Sequence, residues 1–203
     1  MKKKLITCLM LAGVLFMAPV SSVAAAEMNS PIMTREELDS ATPADELTDG
    51  ATGIMPRSAD SKSYTIPGGQ GTLTSNAWRS TTPDLSGNTY QWDYQVSAVY
   101  TGSKTVSSIR TTWKGSASLK NSASISLGIS GSGANAGGSS AWQNVSTVAK
   151  YWENSNGAKE SSYRSNMVVT PRADYRSGTI SITNTARVVL KGDAKPYEIT
   201  ASC

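Results

Sequence analysis

The chain has 203 residues, a length that fits one ordinary domain after any targeting segment is set aside. It contains no histidine, which excludes Ser-His-Asp and Cys-His catalysis and histidine metal centres. Its two cysteines, Cys8 and Cys203, are too few for a structural zinc site, so no metal and no cofactor is expected.

Residues 1–26 have the pattern of a signal peptide. Lys2, Lys3 and Lys4 form a positive start, residues 5–20 an apolar run, and Ser22-Val23-Ala24-Ala25-Ala26 a small-residue cleavage site. Cutting after Ala24 or Ala26, most simply Ala26, leaves Glu27 as the new N-terminus. Cys8 lies inside the apolar run and does not close it, which argues against a lipid-acceptor role. The expectation is an exported, extracellular protein. Loss of the three lysines from 19 basic residues leaves 16 against 15 acidic ones, so the alkaline pI belongs largely to the leader. Cys203 then stands alone: a disulfide within the chain is impossible, and one between chains is a lesser option than a plain thiol.

Residues 27–60 hold eight carboxylates against Arg35 and Arg57, together with Pro31, Pro43 and Pro56. Thr34-Arg35-Glu36-Glu37 has capping-box spacing and supports one short helical turn. The segment reads as a flexible acidic spacer, or as a pro-segment released near Arg57. Residues 61–203 carry 14 basic and seven acidic residues, so the acidic segment could neutralise the domain that comes after it.

From residue 61 onward the pattern is that of strands. Residues 62–66 and 71–74 flank Pro67-Gly68-Gly69. Residues 90–100 alternate strongly, with Tyr90, Trp92, Tyr94, Val96, Ala98 and Tyr100 on one face and Gln91, Asp93, Gln95 and Ser97 on the other. Thr101-Gly102-Ser103 suggests a turn into residues 105–113 as an antiparallel partner. Residues 117–129 again alternate, placing Leu119, Ala123, Ile125, Leu127 and Ile129 on one face and Lys120, Ser122, Ser124 and Ser126 on the other. With residues 145–151 they predict a long hairpin whose Gly/Ser-rich tip, residues 130–140, is floppy. Strands at 163–170, 178–190 and 197–201 complete about eight to ten. Turn signals recur every ten residues or so, which predicts an antiparallel β-sandwich or barrel-like domain over residues 61–203.

Three functional readings arise. Five Trp and eight Tyr occur in the strand-rich region, and flat rings are what a glycan-binding module stacks against sugars. Tyr90, Trp92, Tyr94 and Tyr100 read as core. Trp142 and Trp152 are the candidate stacking pair, giving a non-catalytic module that binds a surface glycan or cell-surface protein. The second reading is membrane insertion. Residues 119–129 have the length and alternation of a membrane strand, with Leu119, Ile125, Leu127 and Ile129 facing lipid. The composition of residues 117–152 resembles the stem hairpin of secreted β-pore-forming toxins, and membrane is a partner only under this reading. A third reading pairs Asp93 with Glu153 as hydrolytic carboxylates. The scattered positive charges predict no nucleic-acid partner.

Overall fold

A computed structural model describes residues 33–44, 57–175 and 178–203. The leader and its Ala26 cleavage site lie outside the described residues. The chain forms helix α1 (Arg35–Ser40) and strands β1 (Thr42–Pro43), β2 (Arg57–Ile66), β3 (Gly71–Ser80), β4 (Asp84–Ser86), β5 (Thr89–Thr101) and β6 (Val106–Leu119). There follow β7 (Ser124–Ser126), β8 (Ala134–Asn135), β9 (Gln143–Ser146), β10 (Lys150–Ser155), β11 (Glu160–Thr170), β12 (Ile180–Leu190) and β13 (Tyr197–Ser202). Among the described residues these make two sheets, one of them curled into a half-barrel. The first runs β2-β3-β5-β11-β7-β8, with β4 on β5; the second runs β1-β10-β6-β12-β13, with β9 on β6. This agrees with the all-β, sandwich-like expectation.

The alternation explains which faces meet. In β5, Trp92, Tyr94, Val96, Ala98 and Tyr100 turn inward and are nearly fully buried. They oppose Ile109, Trp113 and Ala117 of β6 and Ile182, Ala186 and Val188 of β12. Trp113 stacks on Tyr163 with ring centroids 4.5 Å apart. Its indole N–H donates to Tyr94 Oη at 3.0 Å, and the Tyr94 hydroxyl donates to the Leu127 carbonyl at 3.2 Å. Burying one such ring removes about 150–250 Å² from water, on the order of 4–6 kcal/mol before ordering entropy. A hydrogen bond adds about 1 kcal/mol. Ring burial therefore sets the stability of this region, and the hydrogen bonds set its geometry.

A polar belt divides the core in two. Asn184 is fully buried on β12 and accepts from the Thr111 hydroxyl at 2.6 Å. Its amide nitrogen lies 3.1 Å from Ser75 Oγ, 3.0 Å from the Asn76 carbonyl and 2.9 Å from that of Ser97. The aromatic cluster around Trp113 lies on one side of the belt, and an aliphatic cluster around Leu73, Ile109 and Val188 on the other.

Several expectations are corrected. The domain's first long strand begins at Arg57, not residue 61, and Arg57 is already paired with Ser80 of β3. Release of a pro-segment at Arg57 would thus cut a hydrogen-bonded strand. Residues 33–44 of the acidic segment are folded onto the domain: Met33 and Ala44 are buried, and β1 pairs in parallel with β10. Strand β6 is not the partner of β5. The chain crosses to the other sheet between them, because the inward faces of both strands need an opposing layer more than a neighbour.

The long strand at residues 117–129 is also broken. Asn121 and Ser122 adopt φ of 51° and 61°, and this left-handed pair turns the chain out of one sheet and into the other. Leu119 pairs in the second sheet and Ile125 in the first, and both point into the same core. Nor is the Gly/Ser segment a loose tip. Strand β8 pairs with β7 within it, and the buried Ser132 hydroxyl accepts from Leu127 N–H at 3.0 Å while donating to the Ile129 carbonyl at 2.6 Å. Small residues there allow the backbone to supply the hydrogen bonds that apolar side chains cannot replace.

Candidate aromatic cleft

At one end the two sheets part. Strand β3 ends there, the β4–β5 hairpin turns, β12 begins, and a short 3₁₀ turn (Arg172–Tyr175) succeeds β11. The gap is a cleft of about 470 Å³ lined by Arg79, Thr81, Tyr90, Trp92, Tyr175 and Ile180, among others. That is within the about 300–1,000 Å³ usual for small-molecule sites.

Alternation along β5 delivers two of the rings. Tyr90 and Trp92 share the inward face two residues apart, with centroids at 5.5 Å. Tyr175 arrives from the 3₁₀ turn and meets Trp92 nearly edge-on at 4.9 Å and Tyr90 at 6.1 Å. Trp92 is 3 % exposed and forms the floor, while Tyr90 and Tyr175 are half-buried walls. Burial pushes the Tyr175 phenol well above its ordinary pKa, with the Arg79 charge pulling weakly the other way. The phenol is therefore a neutral hydrogen-bonding group at any physiological pH.

Gly178 ties a fourth ring to this place. A Cβ added there would lie 2.5 Å from the Ser118 carbonyl oxygen, so the backbone itself requires glycine, and the Tyr175 and Trp142 rings lie 3.2 and 3.4 Å from the same point. Trp142 is 40 % exposed and carries Lys120 Nζ at 5.2 Å from its centroid.

The predicted pair Trp142 and Trp152 is not brought together. Trp142 precedes Gln143, which faces Leu119, whereas Trp152 faces Thr111, eight residues along the same strand. That separation is about 26 Å at 3.3 Å per residue. Trp152 points inward, 6.2 Å from Tyr163, and serves the core. The ring displayed outward on β10 is Tyr151, under Arg110 at 4.0 Å.

Leu119, Ile125 and Leu127 are fully buried, and Ile129 packs partly buried against the same cluster. They form no lipid-facing stripe in this fold. Asp93 and Glu153 lie on the outward faces of different sheets. Glu153 is ion-paired with Arg110 at 2.9 Å. Asp93 is 5 % exposed, and burial raises its pKa, with Arg164 opposing and Asp84 reinforcing. With sheets about 10 Å apart between them, the two carboxylates cannot flank one glycosidic bond.

Sequence reasoning missed Arg79, Tyr90 and Tyr175. The phase of Tyr90 with Trp92 was visible, but not that it falls where the opposing sheet stops. Tyr175 had no signal, because it lies outside any alternating run. No known protein family matches this chain, and no curated protein matches it. What the fold defines is an all-β, sandwich-like protein with an open aromatic cleft at one end.

Proposed function

We propose that this protein is an exported, non-catalytic module that binds a surface glycan in the aromatic cleft, with Trp142 on the rim as an additional stacking ring. The observation that carries this reading is the convergence of Tyr90, Trp92 and Tyr175 on one solvent-open concavity. Interior rings are normally covered, whereas these line a space that water or a sugar must fill. Aromatic rings offer apolar faces to the C–H faces of sugars, and the Tyr hydroxyls, the Thr81 hydroxyl and Arg79 offer polar contacts at the edges.

A membrane-inserting hairpin is the alternative, with the acidic segment restraining it. It would require Leu119, Ile125 and Leu127 to leave the core, and no feature of the fold favours it. Hydrolysis is weaker still, given the separation of Asp93 from Glu153.

The test is calorimetric titration of the full chain with a panel of soluble polysaccharides. Trp142→Ala and Tyr175→Ala should each weaken binding about fivefold or more, the loss expected for an aromatic anchor worth more than 1 kcal/mol. Absence of binding across the panel, or binding unchanged in both variants, would sink the proposal.

A further inference from the structure

Arg79 sets the chemistry of the ligand, given the glycan reading on which this assignment rests. Its side chain leaves β3 on the inward face, beside Tyr94, and reaches the cleft wall. One terminal nitrogen donates to the Ser80 carbonyl at 3.1 Å, and Nε is buried without a hydrogen-bond partner. Among the described residues none of the ion pairs involves Arg79, although Arg35, Arg110 and Arg187 each have a carboxylate. Its electrostatic neighbours, the Tyr175 phenol and the Cys203 thiol, are both held neutral. The carboxylate on the 3₁₀ turn, Asp174, is engaged by Asn121 Nδ2 at 2.9 Å. At the rim, Lys120 adds a second positive charge over Trp142.

We infer that the cleft takes an acidic saccharide, and that Arg79 is the seat for the carboxylate of a uronate ring stacked against the aromatic walls. A guanidinium is a donor-only fork that matches a carboxylate bidentately, and a neutral sugar hydroxyl satisfies only one of its arms. With Nε covered by protein and one terminal nitrogen on the Ser80 carbonyl, the remaining terminal N–H groups are the ones that a ligand acceptor at the cleft wall can take. The aromatic walls lower the local dielectric and strengthen that contact.

The experiment is titration of the full chain with oligogalacturonides and oligoglucuronides, each against its fully methyl-esterified counterpart, which keeps the rings and removes the charge. A sulfated neutral-backbone oligosaccharide is the third arm. The uronates should bind at least tenfold tighter than their esters, and Arg79→Gln should bring that ratio to near one. Arg79→Lys, which keeps the charge and loses the fork, should give an intermediate ratio. Thermal melts of both variants accompany the titrations, and the ester comparison on the unaltered chain stands even if a variant fails to fold. Equal binding of acid and ester, preference for the sulfated probe, or a preference that survives Arg79→Gln would overturn the uronate assignment. In those cases Trp142- and Tyr175-dependent binding of a saccharide would still uphold the glycan reading. Absence of binding to every saccharide would overturn both.

Discussion

Asn184 is a single residue on which the two halves of the interior depend. Its side chain spans both sheets through Thr111, Ser75 and the carbonyls of Asn76 and Ser97. Asn184→Ala would leave the Ser75 and Thr111 hydroxyls short of partners in a fully buried belt. We expect a loss of about 2–4 kcal/mol, read from urea unfolding with an unchanged slope. A loss below about 0.5 kcal/mol would mean that water enters and replaces the amide. Cys203 illustrates the opposite case, a reactive group made quiet. Its backbone exchanges hydrogen bonds with Ile182 at 2.8 and 3.1 Å, and its side chain packs against the aromatic cluster. Burial pushes the thiol up to about 11, only partly offset by the Arg79 charge. At pH 8 about one thiol in a thousand would be ionised. Alkylation by iodoacetamide should therefore be slow at pH 8 and rise about tenfold per pH unit toward pH 11. A rate like that of free cysteine would show the thiol to be open to solvent. The same arrangement works against the intermolecular disulfide considered from sequence.

At the scale of elements, α1 lies across the outer face of the second sheet, and β1 extends the edge of that sheet beside β10. The helix has only six residues, too few to be stable alone, so its order comes from its caps and its docking. Thr34 and Glu37 form a capping box: Thr34 N–H donates to Glu37 Oε2 at 2.8 Å, and Glu37 N–H donates to Thr34 Oγ1 at 3.2 Å. The other oxygen of Glu37 pairs with Lys114, whose side chain is 4 % exposed, and Arg35 pairs with Glu198 at 3.0 Å. Burial of Glu37 raises its pKa, but the Lys114 and Thr34 hydrogen bonds outweigh this and hold it below the ordinary carboxylate value. A depressed folded pKa means that the contribution to docking is present above the free carboxyl value, about 4.3, and is lost as pH falls through the lower folded one. Protection factors for hydrogen exchange at residues 35–42 should fall below about pH 4, and Glu37→Gln should produce part of that effect at neutral pH. Protection indifferent to both would assign the docking to Met33 and Ala44 alone. The capping-box spacing was readable as Thr34-Arg35-Glu36-Glu37. Its receptor was not, since Lys114 is 77 residues away in the chain.

For the whole molecule, the consequential fact is that the sheets separate at one end. Over most of its length the interior is closed by Trp113, Tyr163, Leu127 and their neighbours, with the Asn184 belt crossing it. Beyond Trp92 the inward face of β5 continues to Tyr90 while the opposing strand β12 is only starting at Ile180. The same alternation that fills the core therefore lines a cleft once the partner layer ends. This is why aromatic residues on one regular strand divide into core-filling and cleft-lining positions without any change in local sequence.

Period-2 alternation, abundant Ser and Thr, and regular turn signals were enough by themselves to determine an all-β, sandwich-like architecture, because side-chain alternation is a local property of an extended chain. The absence of histidine likewise settled from sequence alone which catalytic chemistries are closed to it. Only the tertiary structure decided which strands are neighbours, that residues 117–129 are split between sheets at Asn121 and Ser122, and that Trp142 adjoins Tyr175 and not Trp152. The reason is physical. Alternation says that a face must be covered but not by what, and a six-residue helix or a lone ring on a turn gains its place from contacts made across the fold. Arg79 is the clearest instance. In the sequence it is one of 19 basic residues, and only the cleft makes it informative that, among the described residues, its guanidinium has no carboxylate.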